Sequence, residues 1–156
     1  MPEKAEEIEI MPATLRDLSA IRDLEHVSFA LDAWPLIEMI GVLSLPSIER
    51  WKAMANAELI GFIAADIRRR QGIAWIATIA VHPDHRGKGI GARLMETVEK
   101  RVEMPRMRLS VRASNKTARG LYQSRGYDQV DVWPRYYVGG EDAIVMEKVL
   151  NEGRAD

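Results

Sequence analysis

Apolar positions along this chain change their period several times, and each change marks an element. Ile8 and Ile10 alternate with Glu9 and Met11, the period of a short strand, which Pro12 halts. Thr14 with Asp17 three residues on approximates a capping box. Leu15, Leu18, Ile21 and Leu24 then keep helical spacing, which predicts a helix buried along that face. Residues 28–46 read less clearly: Trp34-Pro35 breaks the chain, and 36–43 is apolar almost all round, as in a short buried helix or a segment turned to a ligand. Strands fit 49–55, 59–68 and 73–81, with Asn56-Ala57-Glu58 and Arg69-Arg70-Gln71-Gly72 as the turns of an antiparallel meander. The period then becomes helical. Ile90, Leu94, Val98 and Val102 recur every four residues with Arg93, Glu96, Glu99 and Lys100 opposite, which predicts an amphipathic helix over 89–103. Leu109 and Val111 lie on the next strand, and a shorter helix over 115–124 ends at Gly126, a left-handed cap. Strands at 127–132 and 143–149 flank a loop carrying Trp133-Pro134-Arg135-Tyr136-Tyr137 and Gly139-Gly140.

Composition narrows the classes of partner. At 156 residues the expectation is one domain over 8–150, between a charged tail at 1–7 and a C-terminal tail at 151–156. The 22 Lys+Arg against 23 Asp+Glu leave a net charge of -1, so no global positive field attracts nucleic acid or an anionic membrane, and any anion site is local. Zero cysteines exclude a thiol nucleophile, a disulfide framework and a Cys-ligated metal. No apolar run approaches the ~20 residues of a membrane span. The start of the chain is acidic where a signal peptide is basic and then apolar, so the expected location is cytoplasmic.

The chemistry concentrates in Val81-His82-Pro83-Asp84-His85-Arg86-Gly87-Lys88-Gly89-Ile90-Gly91-Ala92, where a strand passes through a glycine-rich turn into a helix. Glycines let the backbone approach a ligand, and the first helical turn offers free N–H groups and about half a positive charge to a phosphate. Arg86 and Lys88 strengthen that attraction. A P-loop is excluded, because Lys88 is followed by Gly89 rather than Ser or Thr. The permissive dinucleotide pattern fits Gly87, Gly89 and Ala92, but the next strand ends Ser110-Val111-Arg112 without the acidic residue that pattern needs, so it ranks below a third reading.

That reading is a resemblance. Arg86-x-x-Gly89-x-Gly91 after a Val-x-Pro strand end, followed by Asn115-x-x-Ala118-x-x-Leu121-Tyr122-x-x-x-Gly126-Tyr127, resembles the acetyl-CoA site of the GNAT superfamily of N-acetyltransferases. Val111-Arg112-Ala113-Ser114-Asn115, with Arg135-Tyr136-Tyr137 and Glu141-Asp142-Ala143, is similar to the RimI-like and archaeal branch that acetylates protein N-terminal α-amines. The resemblance implies an α/β fold with a mixed, largely antiparallel seven-stranded sheet and about four helices. It implies acetyl-CoA as cosubstrate, no metal, and a site where two central parallel strands diverge. By the same resemblance, Gly87, Lys88, Gly89, Ile90, Gly91 and Ala92, with Arg86, cradle the pyrophosphate. Ile79, Ala80 and Val81 pair with the pantetheine arm, Asn115 bonds that arm, and Tyr122 is the general acid. The acceptor is a protein or peptide N-terminus, held by Tyr136, Tyr137 and Glu141 with Phe29 and Trp34 opposite. A small amine as acceptor and a non-catalytic acyl-CoA-binding module are the rival readings, and the assembly is a monomer or a homodimer.

Bland roles stand beside these. Asn115 also suits a helix cap, Tyr122 a core aromatic, Tyr136 and Tyr137 a closed loop base, and His82, Asp84 and His85 a solvated loop rather than a metal site. Trp34, Trp51 and Trp75 read as core or groove-lining residues, and Arg68-Arg69-Arg70 as an exposed turn. One departure from the branch concerns the general base. Where relatives have glutamate or histidine this chain has Ser110, and where others have a tyrosine on the preceding strand it has Trp75. A base then comes from elsewhere, with Glu141, Asp142, His82 and Glu38 as candidates, or the amine loses its proton before binding. An α-amine, with pKa about 7.7–8.0, allows the second route better than a lysine at about 10.4.

Overall fold

A computed structural model describes residues 7–28 and 36–150. Seven strands form a single sheet in the order β1-β2-β3-β4-β5-β7-β6. They are β1 (Ile8–Pro12), β2 (Ile48–Ala55), β3 (Glu58–Arg68), β4 (Ile73–Val81), β5 (Arg106–Arg112), β6 (Asp128–Trp133) and β7 (Ala143–Val149). Only the β4–β5 pair is parallel. Among the described residues the α-helices are α1 (Leu18–Ser28), α2 (Leu36–Ser44), α3 (Ile90–Arg101) and α4 (Lys116–Ser124). This is the mixed α/β architecture the resemblance implied.

The helices seal the two faces of the sheet separately. Ile90, Leu94, Met95 and Val98 of α3 and Tyr122 of α4 pack on Ile63, Ile76, Met107, Leu109 and Met146. On the opposite face Ile21 and Leu24 of α1 and Met39, Val42 and Leu43 of α2 cover Phe62, Ala64 and Ala80. The second cover is shorter: among the described residues it reaches β3 and β4, and no described helix lies on that face of β5 and β7.

Most local choices follow from the chain itself. Asn56 and Ala57 both take positive φ, 50° and 65°, so they close β2 onto β3 as a two-residue turn with the twist a hairpin favours. Gly126, at φ 95°, ends α4 as expected. The capping box at Thr14 is present, but it opens a 3-10 turn, Leu15–Asp17, before α1 begins at Leu18. Leu15 is consequently 50% exposed rather than on the buried face, while Glu25, one position past Leu24, is buried with 1% exposure.

α3 sits close on the sheet because Gly61 lies beneath it. A Cβ at that position would stand 3.1 Å from Leu94 Cδ1 and 3.2 Å from both Ala53 Cβ and Ile90 Cγ2. Gly61→Val should destabilise the protein by about 1–3 kcal/mol through overpacking, read as a lower urea midpoint with an unchanged slope. An unchanged midpoint would show that α3 yields without cost.

Candidate active site

β4 and β5 pair over only three residues, Ile73↔Arg106, Ala74↔Met107 and Trp75↔Arg108, and then separate. An extra residue on β4, Ala77, interrupts its register with β3 just beyond that point, where Ala64 faces Thr78 but Ala65 faces Ile76. The bulge inverts the strand's phase: Ala74 and Ile76 point to the α3 side before it, Ile79 and Val81 after it. Beyond Trp75, no strand among the described residues pairs with β4 on its β5 side.

The gap is the mouth of a cleft of about 840 Å³. Its walls are the end of β4 at Ile79, Ala80 and Val81, the turn and first residues of α3, and the face of α4 that carries Asn115, Ala118, Leu121 and Tyr122. Every residue expected at the cofactor site lies on this wall except Lys88, whose exposed side chain stands off it with Nζ 3.2 Å from His85 Nδ1. Arg86 folds back, its Nε donating to the Val81 carbonyl at 3.3 Å. Ser28, His85, Arg112 and Thr117 are on the wall as well, outside the residues that the resemblance assigns to the cofactor, and His85 is thus not merely part of a solvated loop. Arg112 belongs to the Val111-Arg112 motif, whereas Ser28, distant in sequence, gives no local signal.

The α3 end of the cleft is built of backbone. Gly87 and Gly89 have φ of 82° and 76°, and a Cβ on either would meet nothing within 4 Å, so only open space faces them. The first amide bonded back to this turn is Arg93 N–H, which donates to Gly89 O at 3.1 Å. The N–H groups of Ile90, Gly91 and Ala92 therefore have no partner within the helix. Together with the helix dipole this cradle fits an anion such as a pyrophosphate.

Tyr122 closes the inner end. It is 8% exposed, its ring meets Tyr127 edge-on at 6.2 Å, and its phenol is pushed up to about 12 by burial, with the neighbouring Tyr137 adding to the effect. The phenol thus keeps its proton throughout the neutral range. Tyr127 is raised as well, by burial and then by Glu99, whose Oε1 accepts its hydroxyl at 3.1 Å. Asn115 is the N-cap of α4, its Oδ1 accepting from Ala118 N–H at 3.1 Å, while its residue also borders the cleft.

On the α1 side of the gap a chain of rings crosses from β4 to the β6–β7 loop. Trp75 stacks on Trp133 at 5.6 Å, Trp133 meets Tyr136 at 5.1 Å, and Tyr136 meets Tyr137 at 5.0 Å. Arg68 and Arg108 lie over Trp75, and Arg112 over Tyr137. Tyr137 bonds Ser110 Oγ at 3.2 Å, so the serine that replaces the branch's usual base is tied to this loop. Glu141 faces Arg112 at 3.5 Å and accepts from Ser114 Oγ at 2.8 Å, and Asp142 Oδ1 accepts from Arg135 N–H at 3.0 Å. Both acids hold the loop in place, Glu141 through Arg112 and Ser114 and Asp142 through the main chain of Arg135. Glu38 is exposed on α2. His82 Nδ1 accepts from Asp84 N–H at 3.1 Å, and among the described residues no group of three or more potential ligands surrounds a metal position. Phe29 and Trp34 lie outside the described residues.

The sequence pattern of the acetyltransferase (GNAT) family matches residues 18–127. The chain belongs to the GNAT acetyltransferase family. It is an acetyl-CoA-dependent N-acetyltransferase. The chain is 31% identical to an uncharacterized N-acetyltransferase of Methanocaldococcus jannaschii over 85% of its own length and 86% of the relative's. It is 30% identical to the N-alpha-acetyltransferase RimI of Mycobacterium tuberculosis, over 95% and 96%. The crystal structure of the ribosomal-protein-S18-alanine N-acetyltransferase of Escherichia coli superposes with a TM-score of 0.84 at 26% identity, covering 96% of this chain and all of that one. No helix among the described residues of this acetyltransferase is long and apolar enough to cross a membrane.

A raised phenol pKa ties the stability of this GNAT enzyme to alkaline pH. Tyr122's contribution is fully present below 10, the ordinary phenol value, and is lost as pH rises toward about 12. Urea unfolding near pH 8 and pH 11 should show wild type losing about 1 kcal/mol more than Tyr122→Phe over that interval. Equal losses would mean that the folded protein lets Tyr122 ionise freely.

Proposed function

We propose that this enzyme acetylates the α-amine of a protein or peptide N-terminus. The observation that carries the reading is the aromatic path beside the cleft, from Trp75 through Trp133 and Tyr136 to Tyr137, on the half of the sheet face that no described helix covers. Rings with polar edges suit an extended backbone, whose carbonyls accept from phenols, whereas a small amine has no backbone to hold. The Mycobacterium tuberculosis relative, an N-alpha-acetyltransferase, and the Escherichia coli one, a ribosomal-protein-alanine N-acetyltransferase, support the same acceptor class.

In this reading acetyl-CoA supplies an activated thioester. The amides of Gly87 to Ala92 hold its pyrophosphate, and the unpaired edge of β4 at Ile79, Ala80 and Val81 takes the pantetheine arm as an added strand. Asn115 borders that arm. A main-chain N–H near the bulge polarises the reacting carbonyl, and Tyr122 gives its proton to the departing thiolate. Tyr136, Tyr137 and Glu141 form the acceptor wall, with Phe29 and Trp34 assigned to its other side.

Release of free CoA with an N-terminal peptide library against a panel of small amines tests the acceptor class. Efficient turnover of a polyamine with no turnover of any peptide would replace this reading. Gly91→Glu should abolish CoA binding by calorimetry while the fold survives, because a Cβ there makes only ordinary contacts, the nearest at 3.8 Å. Unchanged affinity would move the phosphate site elsewhere. Tyr122→Phe should lower kcat by about 100-fold or more with KM for acetyl-CoA nearly constant. Wild-type turnover in that variant would reduce Tyr122 to a packing residue. Tyr136→Phe and Tyr137→Phe should raise KM for the peptide alone, and an unaltered peptide KM would remove the loop from the acceptor site.

A further inference from the structure

The ring path of the acceptor wall ends among guanidinium groups. Arg68 lies over the Trp75 ring at 5.5 Å and Arg108 at 5.9 Å. Arg106, two residues before Arg108 on β5, projects from the same face of the sheet. The turn that follows β3 adds Arg69 and Arg70, both exposed. These side chains gather at the Trp75 end of the path, opposite the end at Tyr137.

Few carboxylates answer them. Arg68 pairs with Asp66 at 3.2 Å, while Arg106, at 3.6 Å, and Arg108 share a single acid, Glu147. Arg69 and Arg70 form no ion pair among the described residues, and Glu103, in the loop before β5, pairs with none of the five. Five guanidinium groups therefore stand against two carboxylates. Asp128 and Asp131 are on β6, two strands from β5 with β7 between, about 10 Å away and so about one Debye length off. Arg68 and Arg106 keep 46% and 52% of their side chains in water despite their pairs, so the patch is open to a further anion.

The hydrogen-bond inventory has the same sense. Trp75 Nε1 is buried without an acceptor among the described residues, which is unfavourable for an N–H group. Indole and guanidinium groups donate and never accept, so what this end of the path lacks is acceptors, and charged ones bind most strongly. The patch is continuous with the rings, whose three steps of 5.6, 5.1 and 5.0 Å match the reach of about five extended residues. A nucleic acid calls for a wider positive surface than one patch on a chain of net charge -1.

We infer that the enzyme selects acceptors with acidic side chains about five to seven residues behind the α-amine. Their carboxylates meet Arg68, Arg69, Arg70, Arg106 and Arg108 after the intervening backbone has crossed the rings. The inference rests on the peptide acceptor proposed above and adds to it a charge requirement away from the reacting nitrogen.

The test uses three peptides with the same first four residues and with aspartate, serine or lysine at residues five to seven, followed by release of free CoA. Wild type should show kcat/KM about tenfold higher for the aspartate peptide than for the serine one, through KM, with the lysine peptide lowest. The preference should shrink as salt is raised to about 0.5 M. Arg69→Glu combined with Arg70→Glu should reverse the order, and Arg106→Gln alone should narrow it, which keeps the question answerable if the double variant does not fold. Each result is a ratio between peptides on one protein, so a general loss of activity cancels. Equal kcat/KM for the three peptides, or a preference unchanged in both variants, would overturn the inference. A uridine oligonucleotide bound by wild type and not by the double variant, together with equal peptide rates, would give the patch to nucleic acid instead. Turnover of a polyamine with none of the three peptides would defeat the peptide acceptor itself, a result distinct from three equal rates.

Discussion

Backbone amides and carbonyls removed from water must find partners, and a sheet satisfies them only while its strands stay together. β4 and β5 stay together for three residues and then part. That separation, in the middle of the sheet rather than at an edge, leaves a length of β4 unpaired beside an open cleft. The remaining features are arranged around it. The bulge at Ala77 turns the strand at the point of parting, α3 begins where β4 ends, and α4 carries Tyr122 to the inner end of the gap. A cleft through a sheet also connects its two faces, so one reactant can approach along the α3 side while another meets it from the α1 side.

The two sides differ in physical character. On the α3 side the wall is main chain, with glycines in left-handed conformation and amides at a helix start, so its attraction for anions belongs to backbone geometry. On the α1 side it is side chain: four rings in sequence, flanked by arginines that pair with Asp66, Glu147 and Glu141. The guanidinium of Arg112 lies over the Tyr137 ring at 4.7 Å and donates to the Val138 carbonyl at 3.2 Å. It is thus a strut between the end of β5 and the loop after β6. Loop position and cleft shape are mechanically joined through that one side chain.

What could be read from the sequence was what is contiguous. The strand, glycine turn and helix from Val81 to Ala92 lie within a dozen positions, and their backbone chemistry is determined locally, so the expected cofactor residues other than Lys88 meet on one wall. Periodicity likewise found α3, α4 and the meander to within a residue or two. The burial of Glu25 falls outside the apolar series Leu15, Leu18, Ile21, Leu24, which keeps a strict spacing of three, while the buried arc of α1 also takes in the fourth position after Ile21. A charged residue at an apolar phase is itself a signal, and it was available. The stacking of Trp75 on Trp133 was not, since it depends on β7 entering between β5 and β6.

The bulge at Ala77 carries a consequence of a different kind. A substitution there changes one side chain, but loss of the residue changes the parity of every position after it. Ile79 and Val81 would turn toward α1, and Thr78 and Ala80 would turn away from it, exchanging the surfaces that β4 shows to the two helical layers. The single additional residue acts as a phase shifter. It allows one strand to be read in one frame where it pairs with β5 and in the other where it borders the cleft, so the spacing of this segment is constrained by length as strictly as any site is constrained by chemistry.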